Sequence, residues 1–104
     1  MNRIERSQKK YKELFGNVTA SAAASDPDFQ EILNRFIFGE VFYQGDLEDT
    51  TRELITLVVL TASQTLDQVS AHVFAALKTG VSPVEIKEAM YQCAPYIGFP
   101  KPAL

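Results

Sequence analysis

The run Leu54-Ile55-Thr56-Leu57-Val58-Val59-Leu60-Thr61-Ala62 is apolar at almost every position. A helix built from it has no polar sector to offer to water, and a helix that is apolar all round must be covered all round. The run is far short of the ~20 apolar residues that a bilayer-spanning helix needs. Its cover must therefore come from other protein elements. The chain has 104 residues, enough for one domain and too few for two. A domain of this size buries roughly two thirds of its unfolded surface, so a single copy is short of material to enclose such a helix. Packing of identical subunits on one another is the expected remedy.

The remaining signals are helical. Residues Arg3 to Phe15 place Ile4, Tyr11, Leu14 and Phe15 on one side of a charged helix, which Gly16-Asn17 ends. Asp26-Pro27 starts a second helix, with Asp26 as N-cap and Pro27 at its first position. Phe29, Ile32, Leu33, Phe36, Ile37 and Val41 recur along it at spacings of three and four, and Gln44-Gly45-Asp46 is the expected stop. The apolar helix begins near Asp49 or Thr50, where Thr50 and Glu53 fit a capping box. A connection at Ser63 to Thr65 leads to a helix with Leu66, Val69, Val73, Ala76 and Leu77 as its apolar stripe and Gly80 as the left-handed residue beyond it. Ser82-Pro83-Val84-Glu85 opens the last helix, which buries Ile86, Met90, Cys93 and Ile97. Pro95 should kink that helix or end its regular bonding, and Gly98-Phe99-Pro100 stops it. No stretch alternates with period two, so the expected fold is all-α, a compact domain of about five or six helices.

Composition excludes several functions. The net charge is −3, and the basic residues Arg3, Arg6, Lys9, Lys10 and Lys12 are interleaved with Glu5 and Glu13, as on a solvated helix face. No nucleic-acid partner is expected. Cys93 is the single cysteine, which rules out an intramolecular disulfide and any multi-cysteine zinc site. Its place on an apolar stripe favours a buried, inert thiol. No signal-peptide pattern opens the chain, and a cytoplasmic protein without a membrane partner is the default expectation.

His72 is the one histidine. Imidazole exchanges protons near neutral pH without a large environmental push. On a helix, positions 65, 68 and 72 share a stripe roughly 60° wide that flanks the apolar face, so His72, Thr65 and Gln68 should line the rim of the core. Glu53 has two competing readings. It closes the capping box with Thr50, or it reaches the imidazole, and one carboxylate rarely does both.

From Arg52 to Pro100 the chain resembles the carboxymuconolactone decarboxylase family, which includes the alkylhydroperoxidase-D-like proteins. The resemblance rests on Arg52-Glu53-Leu54 opening the apolar helix and on Ala71-His72-Val73-Phe74-Ala75-Ala76-Leu77. It continues through Gly80-Val81-Ser82-Pro83-Val84-Glu85-Ile86-Lys87-Glu88 and Tyr91-Gln92-Cys93-Ala94-Pro95-Tyr96-Ile97-Gly98-Phe99-Pro100. Phe38-Gly39-Glu40-Val41 and Gly45-Asp46-Leu47 resemble its upstream segment. Together these cover roughly 60 of the 104 residues in fixed order, a more specific signal than one short motif.

The resemblance implies a single family domain over residues 1–104, assembled as a trimeric or hexameric ring. The peroxidase branch of the family pairs a Glu with a His nineteen residues later and places a Cys-x-x-Cys four residues before that His. Glu53 and His72 stand at that separation, but Thr65 and Gln68 occupy the cysteine positions, so dithiol peroxide reduction is excluded. What remains resembles the decarboxylase side, which needs no metal and no organic cofactor. The implied substrate is a small anion such as a carboxylated lactone. His72 would act as acid/base, Glu53 would orient it, and Thr65, Gln68, Arg52 and Glu40 are the candidate substrate contacts. A thiol antioxidant resting on Cys93 and a non-catalytic oligomeric binding module are the alternatives. The family pattern also implies a further helix after Pro100, so a chain ending at Leu104 is expected to be a short or truncated member.

Overall fold

The computed structural model describes residues 1–16 and 26–97, and these form two compact units, Met1–Leu47 and Glu48–Leu104. Five α-helices and one 3₁₀ turn account for the order, and no strand occurs among the described residues. The expected all-α class is what the chain adopts.

In the first unit, α1 (Arg3–Phe15) packs against α2 (Pro27–Gly39). Asn2 caps α1 by accepting from the Glu5 backbone N–H at 2.8 Å, while Glu5 reaches back to the Asn2 N–H. Gly16, at φ 75°, closes it by donating to the Lys12 carbonyl. Asp26 and Pro27 start α2 as the sequence predicts, with the Asp26 carboxylate accepting from the Phe29 N–H at 3.1 Å. Leu14 is fully buried, and Phe15, Phe38 and Phe42 pack beside it with Tyr11 in a chain of aromatic contacts 4.7 to 5.7 Å between ring centres.

The first unit departs from expectation in three places. The second helix stops at Gly39, and a 3₁₀ turn at Val41–Tyr43 carries the chain onward before the expected stop at residues 44–46. Ile4 is 41% exposed, because α2 meets α1 through the side bearing Ser7 and Leu14. Phe29, Ile32 and Phe36 stand more than half exposed in the single chain, while Phe38 and Gly39 are buried. The three-and-four spacing found the stripe but not its contact.

Gly39 makes that contact possible. A Cβ at this position would lie 2.5 Å from the Arg3 carbonyl oxygen and 3.2 Å from Ser7 Cβ. The buried Ser7 donates to the Ile4 carbonyl at 2.7 Å, and Arg6 Nε donates to the Gly39 carbonyl at 3.0 Å. Gly39→Ala must separate the two helices, so it is expected to cost about 1–3 kcal/mol in urea unfolding, with Ser7→Ala markedly milder.

In the second unit, α3 (Asp49–Ala62) packs against both α4 (Leu66–Thr79) and α5 (Pro83–Ile97). Leu57, Val69, Ala76, Val81, Ile86 and Met90 form its core. Burying a leucine as completely as Leu57 stabilises by about 1.5–3 kcal/mol. The Thr61 hydroxyl, also fully buried, donates to Met90 Sδ at 3.4 Å. Ser82 and Glu85 form the predicted capping box, at 3.1 and 2.9 Å, and Gly80 is left-handed at φ 112°. The last helix continues through Pro95 to Ile97. Residues 17–25 and 98–104, which hold Asn17, the small-residue stretch and Gly98-Phe99-Pro100, lie outside the described residues, as does the Leu66 side chain.

Two expectations change here. Leu77 is 44% exposed, so the apolar stripe of α4 is narrower than its sequence suggests. Ile55 and Val59 are about half exposed, on the side of α3 opposite Glu53, Leu57 and Thr61. Part of the all-apolar helix is therefore left uncovered among the described residues.

The turn between α3 and α4 is tight. Gln64 takes φ 61°, left-handed for a residue with a side chain, and Thr65 N–H returns to the Leu60 carbonyl at 3.0 Å. Gln64 Nε2 also donates to the Thr61 carbonyl at 3.1 Å, satisfying a helix-end acceptor. Gly at this position would relieve the backbone but lose that bond, so Gln64→Gly should be nearly neutral. Gln64→Val keeps the strain without the bond and should lower stability by about 1–3 kcal/mol, read as a shift in the thermal midpoint.

Candidate functional site

The expected Thr50–Glu53 capping box does not form. The helix begins at Asp49, with Glu48 as its N-cap and no side-chain cap bond. Thr50 thus lies inside the first turn, where it has helical dihedrals and no N-cap geometry. Freed from that role, Glu53 faces α4. Both its oxygens approach His72 Nδ1, at 3.2 Å for Oε1 and 3.0 Å for Oε2.

The pair is asymmetric. The Glu53 side chain is fully buried, and that of His72 keeps 15% of its surface exposed. A carboxylate only accepts, so Nδ1 must carry the hydrogen it shares with Glu53. In neutral imidazole the lone pair then resides on Nε2, the ring nitrogen on the far side from Glu53. A buried carboxylate holding Nδ1–H thus fixes the tautomer and the tilt of the ring, and it supports the charge when Nε2 takes up a proton.

The other candidates divide. Thr65 is the N-cap residue of α4, half-buried, with its hydroxyl 2.8 Å from that of Ser63. Gln68 is exposed one turn before His72, so Thr65, Gln68 and His72 do share one edge of α4. Ser63 escaped sequence reading because nothing in a single serine distinguishes a turn filler from a partner of Thr65. Arg52 is half-buried and sits about 100° around α3 from Glu53, so it leaves the helix on another face. Glu40 belongs to the first unit, where its carboxylate is ion-paired with Arg3.

Cys93 is a free, buried thiol. It lines a half-open cavity of about 370 Å³ along the seam of α3 and α5, with Val58, Ala62, Ala89, Gln92, Tyr96 and Ile97. Neither His72 nor Glu53 lines that cavity. Among the described residues no group of three or more His, Cys, Asp or Glu is placed to hold a metal ion. None of the described helices is long and apolar enough to cross a membrane.

Residues 27–102 match the sequence model of the carboxymuconolactone decarboxylase family. The chain belongs to this family. Over 73 residues it is 38% identical to the 4-carboxymuconolactone decarboxylase of Acinetobacter baylyi, covering 70% of this chain and 54% of that protein. Over 71 residues it is 30% identical to the nitrosuccinic acid decarboxylase of Metarhizium robertsii, covering 68% of this chain and 50% of the relative. The chain therefore spans about half the length of the relatives it matches. The family segment contains α2 through α5, and with them Glu53 and His72.

Proposed function

We propose that this member of the carboxymuconolactone decarboxylase family is a cofactor-independent carboxy-lyase acting on a small anionic acid, with His72 as the proton-transferring group. The observation that carries the reading is the fully buried Glu53 carboxylate held against His72 Nδ1. Two relatives support the reaction class. Both are named as decarboxylases, one of a lactone acid and one of a nitro acid, and each of those acids carries an electron-withdrawing group.

The chemistry asks little of the protein. The bond from the substrate carbon to its carboxylate breaks, carbon dioxide leaves, and the electron pair moves into the neighbouring acceptor. That carbon then takes a proton from Nε2–H of the imidazolium, and solvent restores the proton. Glu53 never touches the reacting atoms in this scheme. It is a positioning residue that holds Nδ1 and stabilises the charged ring. Thr65 and Gln68, on the same edge of α4, offer neutral hydrogen bonds to the bound acid, Ser63 supports the Thr65 hydroxyl from the preceding turn, and Arg52 is the cationic candidate.

A ring-like homo-oligomer, trimer or hexamer, is part of the same proposal. Ile55 and Val59 on the outer side of α3 are the apolar surface that a second copy would cover. Light scattering coupled to gel filtration should find that assembly, and a monomer throughout the working concentration range would refute it.

The direct test mixes the purified chain with a γ-carboxylated muconolactone, and separately with nitrosuccinate, and follows carbon dioxide release. Turnover of either acid above the buffer rate is expected without added metal. Absence of turnover on both, by folded protein, would remove the decarboxylase reading. Cys93→Ala should leave the rate within about twofold, because the thiol belongs to the α3–α5 cavity and not to the Glu53–His72 pair.

A further inference from the structure

We propose that Leu57 is a positioning residue for His72, acting through Glu53 by keeping water away from the carboxylate. The inference rests on the Glu53–His72 pairing and not on any particular substrate. A carboxylate offers about four acceptor sites, and here both oxygens share the single N–H of His72, at 3.0 and 3.2 Å. A water or polar side chain that donated to a free acceptor site of Glu53 would draw charge away from the imidazole and weaken its hold on the ring. Something must therefore seal the carboxylate on every side except the imidazole.

Leu57 meets that need from α3. It lies one turn beyond Glu53 and is 1% exposed. Helical side chains lean towards the N-terminus, so a residue covers the turn that precedes it, and Leu57 is set over Glu53. The same seal is met from α4. Val69, 6% exposed, stands one turn before His72, and Ala76, with no exposure, one turn after it; both belong to one apolar cluster with Leu57. The helices run antiparallel through the turn at residues 63–65, and Gly80 lies beside Thr50 at the opposite end, where a Cβ would be 3.9 Å from Thr50 Cγ2. That alignment puts Val69 at the Leu57 end of the pair and Ala76 at the other. Leu57 and Val69 thus form an apolar level at one end of the pair and Ala76 stands at the other, with the partly exposed imidazole as the hydrogen-bond partner of the carboxylate.

His72 is the single histidine, so its ring N–H resonance can be assigned without ambiguity. Nuclear magnetic resonance of the full chain, labelled with nitrogen-15, should show a protonated Nδ1 whose hydrogen exchanges slowly with water. Leu57→Met, apolar and of similar size, should preserve it. Leu57→Asn, close in volume but polar, should speed exchange by about tenfold or more while circular dichroism and the thermal transition still report a folded protein. Val69→Thr, nearly isosteric, should act in the same direction and serves if Leu57→Asn fails to fold. In a decarboxylation assay the polar variants should lose kcat with little change in KM, and Leu57→Met should restore it. A folded Leu57→Asn, or a folded Val69→Thr where the former does not fold, that retains wild-type exchange would overturn the proposal. A wild-type protein without a protected Nδ1–H would overturn the pairing itself, and the proposal with it. Protected exchange that the polar variants lose, without turnover of any acid, would uphold the role of Leu57 and defeat only the decarboxylase reading.

Discussion

His72→Ala is expected to lower kcat for decarboxylation by about a hundred- to ten-thousand-fold, the usual contribution of a placed general acid. It should also reduce stability. The Glu53 carboxylate has no solvent exposure, and removing the imidazole strands it in the core. A buried charged acceptor left without its donor costs on the order of 1–3 kcal/mol or more, against about 0.5 kcal/mol or less for an ordinary surface substitution. The two effects separate experimentally. Chemical denaturation gives the stability, and the rate per folded molecule at saturating substrate gives the chemistry. Adding Glu53→Ala to His72→Ala removes the stranded charge, so the double variant should regain part of the stability and none of the rate. Wild-type turnover by folded His72→Ala would place the acid elsewhere.

Glu53→Gln isolates the electrostatic part of the site. The amide has almost the same shape, and its carbonyl can still accept from Nδ1–H, so the fold should persist. It cannot balance a positive ring, and its NH₂ can select the wrong tautomer. The expected loss in kcat is on the order of a hundredfold, less than when a comparable change cripples a nucleophile's base, with KM within a few-fold of wild type. Combined with His72→Ala it should add almost nothing, because both changes remove one unit. Losses that multiply would mean that Glu53 acts independently of His72.

Local patterns were legible in the sequence wherever one residue type answers one backbone need. Asp26-Pro27, Gly16, Gly80 and the Ser82–Glu85 box all start or stop helices as their chemistry dictates. The same logic misread Thr50-x-x-Glu53, because a capping box and a chance Thr and Glu three residues apart look identical until the N-cap is fixed two residues earlier, at Glu48. Gln64 was silent for a related reason. A glutamine at left-handed φ leaves no compositional trace, whereas a glycine would.

The stripe at Phe29, Ile32 and Phe36 shows a second limit. Helical period locates an apolar face but cannot say which surface meets it, and in one chain that face stays largely exposed. The opposite holds at Gly39, where the contact with Arg3 and Ser7 depends on the absence of a side chain.

The sequence by itself determined that the chain is helical, that its third helix is apolar on nearly every side, and that the thiol pair of the peroxidase branch is absent, with Thr65 and Gln68 in its place. Those are properties of residue type and spacing along one element. It also placed a Glu nineteen residues before a His, but spacing does not choose between a helix cap and a partner across a helix pair. Only the tertiary structure decided that, by bringing α3 and α4 antiparallel and burying Glu53 completely against Nδ1 of His72. The physical reason is burial: once the helix start leaves Glu53 facing the core, the imidazole supplies the donor that a carboxylate sealed from water requires.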